Sequence, residues 1–141
     1  GSGSETAAHL RADGRITLMF CALEEPPSIL RLYGRGTSMP RNSGDYTALL
    51  ASAFDNQEPV GARQIVRIDI ELVQTSCGYG VPLFDYVGER ATLRRWAEHK
   101  GEAGLEEYRR QKNASSIDGH PTGLVEQEAS PAPEPLVANR G

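Results

Sequence analysis

Cysteine is scarce in this 141-residue chain: Cys21 and Cys77 are the only two. They fall in different segments, too few for a thiolate metal site, and without a secretory route a disulfide is not expected. The three histidines, His9, His99 and His120, show no pair at the i, i+4 spacing of a helical metal site, so no metal is expected. No Ser–His–Asp or Cys–His set emerges either, and no catalytic acid or base can be assigned. Aromatic residues make up only 6%. No apolar run approaches the roughly 18 residues of a membrane-spanning helix, and no signal-peptide pattern opens the chain; the expectation is a soluble, cytoplasmic protein without a membrane partner. Positive charge is short too. Fifteen Lys and Arg stand against 19 Asp and Glu, a net charge of −4, whereas a nucleic-acid binder shows a basic face.

What is present is enough for one domain burying roughly two-thirds of its unfolded surface. The stretch Gly3 to Phe20 organises it. A Gly-Ser turn leads into a short helix over Glu5–Arg11, a break follows at Asp13-Gly14, and Arg15–Ala22 reads as a strand apolar on both faces. Glu24-Glu25-Pro26-Pro27 turns the chain into a return strand from Ser28 to Gly36, where Gly34 and Gly36 suggest a bulge or a close backbone approach. Ser43–Phe54 has the cap and the i, i+3, i+4 spacing of an amphipathic helix. In Gln64–Thr75, Val66, Ile68, Ile70 and Leu72 alternate with charged residues, which predicts a strand with one buried face. Glu89–Lys100 reads as a helix with Leu93, Trp96 and Ala97 inward, ended by Gly101, and Glu102–Asn113 as a second with Leu105 and Tyr108 inward. Four of the nine prolines lie between Pro121 and Pro135. Residues 1–114 are therefore expected to fold and 115–141 to form an extended or disordered tail. Three strands cannot close a barrel, so further strands or a partner chain are expected at the sheet edges.

Ser4, Glu5 and Thr6 open the first helix. Their hydroxyls and nearby N–H groups suit an anion, but an ordinary N-cap is the simpler account of them. Glu5 is a poor neighbour for a phosphate, since like charges repel. Arg31 and Arg35 project from a strand, toward either solvent or a phosphate. Cys77 and Tyr79 sit in the tight loop Ser76–Pro82, where neither a low-pKa thiol nor a stacking role has a visible cause.

The stretch GSETAAHLRADGRITLMF followed by PSILRLYGRG resembles the middle of the pyridoxamine 5′-phosphate oxidase-related, FMN-binding split-barrel proteins. The segments IVRIDIELVQTSCGYGVPLFDYVGER and RRQKNASSIDGHPTGL are similar to the C-terminal part of an uncharacterised subgroup of that family. The resemblance implies an α+β, mainly β fold: a partial split β-barrel of the FMN-binding type with C-terminal helices, its opening strands preceding residue 1. It implies a homodimer with FMN at the subunit interface and an oxidoreductase acting on a small-molecule substrate. By position, Gly3 and Ser4 match the family's turn beside the flavin phosphate, and Glu5 and Thr6 fall where the family places the Arg and Lys that neutralise it. Ile29 falls where the oxidases place a Gln near the flavin. These replacements support an alternative: a non-catalytic dimeric binding protein that has lost FMN, or one that uses a deazaflavin or haem.

Overall fold

In the computed structural model, which describes residues 3–125, helix α1 (Gly3–Ala12) leads into strand β1 (Arg15–Cys21). Strand β2 (Ile29–Pro40), helix α2 (Gly44–Phe54), strand β3 (Gln64–Ser76) and helix α3 (Thr92–Lys112) follow. The strands form one antiparallel sheet in the order β1-β2-β3. The architecture is α+β, as the resemblance implies, with β2 central. Its first seven residues pair with β1, and its full length pairs with β3, from Ile29 opposite Ser76 to Pro40 opposite Gln64. That second pairing carries β2 on through Gly36 to Pro40. Pro40 closes it at a strand end, where a missing N–H breaks no ladder.

The two glycines in β2 have separate reasons. At Gly34 the register slips, because Tyr33 opposes Leu72 while Gly34 opposes Ile70, leaving Glu71 as the extra residue of a bulge. A Cβ at Gly34 would run into the Asp69 carbonyl oxygen. At Gly36 a Cβ would lie 2.8 Å from a Leu10 methyl, so this residue admits α1 onto the sheet. The bulge corrects the expectation for β3. Ile70 and Leu72 point to opposite faces rather than continuing one buried row, because side-chain alternation is broken at the extra residue.

Helix α1 buries Ala7, Ala8 and Leu10. Its short face covers only one end of the sheet. Strand β1, expected to be covered on both faces, instead leaves Leu18, Met19 and Phe20 exposed, and Ile70, Leu72 and Val73 of β3 are exposed beside them. Among the described residues no further strand joins the outer edge of β1 or β3.

Ser43 caps α2, its hydroxyl accepting from the Tyr46 N–H at 3.2 Å. Helix α3 breaks at Gly101, whose φ of 65° and ψ of 172° are not helical; the expected stop is there, and the chain resumes helical geometry directly after it. Ala97 is buried, with its Cβ 3.2 Å from where a Gly61 side chain would begin, and Leu105 is buried as well. Leu93 and Trp96 do not point inward as expected. Contact through the small Ala97 leaves the preceding turn overhanging, so Leu93 is 74% exposed and Trp96 packs edge-on against Tyr108 at 5.0 Å.

A charged clamp ties these parts together. Arg41, just after β2, forms a two-pronged pair with Glu58, Nε to Oε1 and Nη2 to Oε2, both at 2.8 Å. It also donates to Glu102 of α3. The Tyr46 hydroxyl of α2 donates to Glu58 at 2.6 Å. The packed chain also runs beyond the expected boundary at 114. Ser116 and Thr122 are buried in a turn closed by a bridge between Ser115 and Pro121. The polar side chains of this turn are satisfied by its own backbone, which is why apolar periodicity gives no sign of it. The rest of the expected Pro-rich tail, 126–141, lies outside the described residues.

The clamp makes stability depend on pH in a definite sense. Arg41 first, then the Tyr46 hydroxyl, hold the Glu58 carboxyl below its ordinary value. A carboxyl depressed in the folded state contributes stability that is fully present above its unfolded value of about 4.3 and is lost as pH falls through the folded value. Urea titrations of wild type are expected to show stability falling as pH drops below about 4.5. Glu58→Gln is expected to lose about 2 kcal/mol near neutrality and to flatten that acid slope; an unchanged slope in the variant would remove the clamp from the account.

Candidate functional site

The corner around the start of α1 is the site the sequence singles out. Ser4 is 3% exposed, so its side chain belongs to the interior. Glu5 is half-buried, and its carboxylate accepts from the Ile117 N–H at 3.0 and 3.2 Å, one contact through each oxygen. Thr6 is half-buried. Gly3 begins the helix. The four residues lie together because they are consecutive in one helix turn.

The C-terminal turn covers this helix. Thr122 donates its hydroxyl to the Asn113 carbonyl at 2.5 Å, the Ser116 N–H donates to the His120 carbonyl at 2.8 Å, and the His120 N–H donates to the Ser116 hydroxyl at 3.0 Å. His9 lies 3.5 Å from Asp118, with its ring edge-on to His120 at 6.1 Å. Arg11 packs against Gly123. The two basic residues of α1 therefore face the C-terminal turn from the last turn of the helix rather than its start. Fully buried Asn113 joins the turn to the α2–β3 loop, since Arg63 donates to its Oδ1 at 2.9 Å.

These residues do not fit a flavin phosphate as they stand. A phosphate seat needs converging donors and positive charge. Here the one ionised group of the first turn is a carboxylate already bonded to a neighbouring backbone N–H, and Ser4 is enclosed. The other sequence candidates are also engaged within the fold. Arg31 donates to Ser76 Oγ at 2.9 Å and Tyr33 to Gln74 at 3.1 Å; Arg35 donates to the Asp13 carbonyl at 3.0 Å and lies 3.7 Å from Glu71. Cys77 is a free, exposed thiol, Cys21 is half-buried and also free, and Tyr79 is exposed. His99 is exposed on α3. No group of three metal-ligating side chains occurs among the described residues.

A separate cleft of about 720 Å³ opens at the far end of β1, lined by Cys21, Leu23, Glu24, Phe84, Asp85 and Tyr86 among others. It does not include the α1 corner. No helix among the described residues is long and apolar enough to cross a membrane. Sequence reasoning missed Arg41, Glu58, Arg63 and Asn113. Each lies in or beside a loop, and no spacing rule links residues brought together from such separate segments.

Fold and corner together define a class: an α+β domain whose N-terminal helix is strapped by a C-terminal polar turn against an open antiparallel meander. No family model and no solved structure matches the chain. Comparison with curated proteins finds a pyridoxamine 5′-phosphate oxidase family protein, ustO of Aspergillus flavus, 38% identical over an alignment of 134 positions that covers 86% of this chain and 53% of that protein. The chain is a relative of the pyridoxamine 5′-phosphate oxidase family, and it spans about half the length of this curated member.

If Glu5 serves the strap, Glu5→Ala is expected to lower stability by about 1–2 kcal/mol, because the Ile117 N–H loses a charged acceptor. Hydrogen exchange at that amide is expected to speed up ahead of the β2–β3 ladder; unchanged protection at Ile117 would show the contact to be immaterial.

Proposed function

We propose that this chain is a non-catalytic binding module of the pyridoxamine 5′-phosphate oxidase family, working as a homodimer, with the α1 corner turned from a flavin-phosphate seat into an internal joint. The observation that carries this reading is the Glu5 carboxylate on the Ile117 N–H at the position where the family's resemblance calls for a cation. A phosphate arriving there meets negative charge and a displaced hydrogen bond, both unfavourable. Dimerisation is supported by the uncovered apolar side chains of β1 and β3, since contiguous exposed apolar surface marks an interaction site.

A second reading, an FMN-dependent oxidoreductase acting on a small molecule, is favoured by the 38% identity to the Aspergillus flavus protein. In that case the flavin carries the redox chemistry and the protein supplies binding and orientation, with the phosphate held by groups other than Gly3, Ser4, Glu5 and Thr6.

Titration of FMN with the full chain, read by flavin fluorescence, separates the two. The expected result is no binding tighter than about 1 mM, with Glu5→Arg combined with Thr6→Lys binding at least tenfold more tightly. Micromolar uptake of FMN by the wild-type chain would overturn the binding-module reading. Light scattering after size exclusion is expected to give twice the 15.3 kDa chain mass; a monomer throughout would remove the homodimer.

A further inference from the structure

We propose that the corner formed by Arg63, Arg109 and Asn113 binds a small oxyanion, a phosphate or a carboxylate. It lies where the α2–β3 loop meets the C-terminal turn of α3, apart from the α1 corner, and stands or falls independently of whether a flavin binds.

The first argument is a donor without an acceptor. Asn113 is fully buried, its Oδ1 is taken by Arg63, and its Nδ2 has no hydrogen-bond partner. A buried donor left unmade costs about 1–3 kcal/mol, so native structures rarely keep one without a cause. The Arg63 guanidinium and the orphan Nδ2 are thus neighbours through the two polar atoms of one amide. Arg63 is half-buried and uses one N–H of its fork there; among the described residues no carboxylate lies within 4 Å of it.

The second argument is charge. Arg109, with a side chain only 13% exposed, donates to the Ala62 carbonyl at 2.9 Å and so stands beside the residue preceding Arg63. Burial first, then the neighbouring Arg109 charge, pull the Arg63 guanidinium below its ordinary range. The ionic network beside it pairs the guanidiniums of Arg41 and Arg109 with the carboxylates of Glu58 and Glu102, and Arg63 joins no ion pair among the described residues. Three cations and two anions leave one positive charge. Glu102 is shared between Arg41 and Arg109, at 3.8 Å from the latter, and is largely exposed. The carbonyls at the end of α3 offset part of the surplus through the helix dipole. A neutral water would satisfy Nδ2 but leave the charge; an oxyanion answers both, accepting from Nδ2 and from the Arg63 fork.

The test is thermal unfolding of the full chain in rising inorganic phosphate, in acetate, and in sodium chloride at matched ionic strength. Phosphate at tens of millimolar is expected to raise Tm by about 2–4 °C beyond chloride. An equal excess from acetate assigns the corner to carboxylates generally, and an excess from phosphate alone assigns it to phosphates. Arg63→Gln is expected to abolish the excess. Asn113→Asp guards against a variant that fails to fold: it builds a carboxylate into the corner, and is expected to raise Tm without added ion and to erase the response. No excess over chloride, as a resident water would give, overturns the proposal, and so does a full response retained by either variant.

Discussion

Arg41 holds two carboxylates from two distant parts of the chain, and the rest of the structure depends on that one guanidinium. Glu58 comes from the loop before β3 and Glu102 from the second half of α3. The Arg41 side chain is 31% exposed and that of Glu58 26%, so the pair is screened far less than a surface ion pair. Its fork geometry adds direction, which a lysine would not supply. Direction matters because the apolar core is thin: among the described residues the buried hydrophobic side chains are few, and three of them are alanines. Burial alone places α2 and α3 only loosely. The clamp, with the Tyr46 hydroxyl bonded to Glu58 and its own titration pushed up to about 12 by burial and that bond, fixes where they sit.

A thin core also accounts for what was legible beforehand. Elements with a strong local signature appear where the residues place them: Ser43 caps α2, Gly34 lies opposite the bulge, Gly101 interrupts α3. Each is a local matter of φ, ψ or one hydrogen bond. What eluded sequence reasoning is long-range. Val66 to Leu72 alternates as though one face were buried, yet Glu71 is the bulge residue, and nothing local shows which residue a partner strand will skip. The turn over 113–125 is held by hydroxyls and backbone rather than by apolar contacts, so its polar composition reads as tail. Arg63 and Asn113 meet across fifty positions, a separation at which no periodicity applies.

The exposed rows on β1 and β3 express the same thinness. Leu18 pairs across the sheet with Leu32, and Leu32 with Val73, so an apolar band crosses all three strands at one level. A sheet normally buries such a band against a second layer. Helix α1 cannot serve, because it is seated at the other end by Leu10 over Gly36. The band therefore asks for a layer from outside the described residues.

On the proposed reading little change separates a cofactor seat from a joint: Gly3 and Ser4 open helix α1, and the sign of one side chain decides the rest. At about 4 Å a pair of unit charges is worth about 1 kcal/mol in water and about 4 kcal/mol near a protein surface. Reversing the sign turns that attraction into a repulsion of the same size, a swing of about 2–8 kcal/mol for each charge on the ligand. Even the lower end costs more than tenfold in affinity. Glu5 gains from the exchange, because a carboxylate at the first turn suits the helix dipole and reaches the Ile117 N–H. The residue that repels a phosphate is thus the one that fastens the C-terminal turn, and the corner cannot serve both roles with the same side chain.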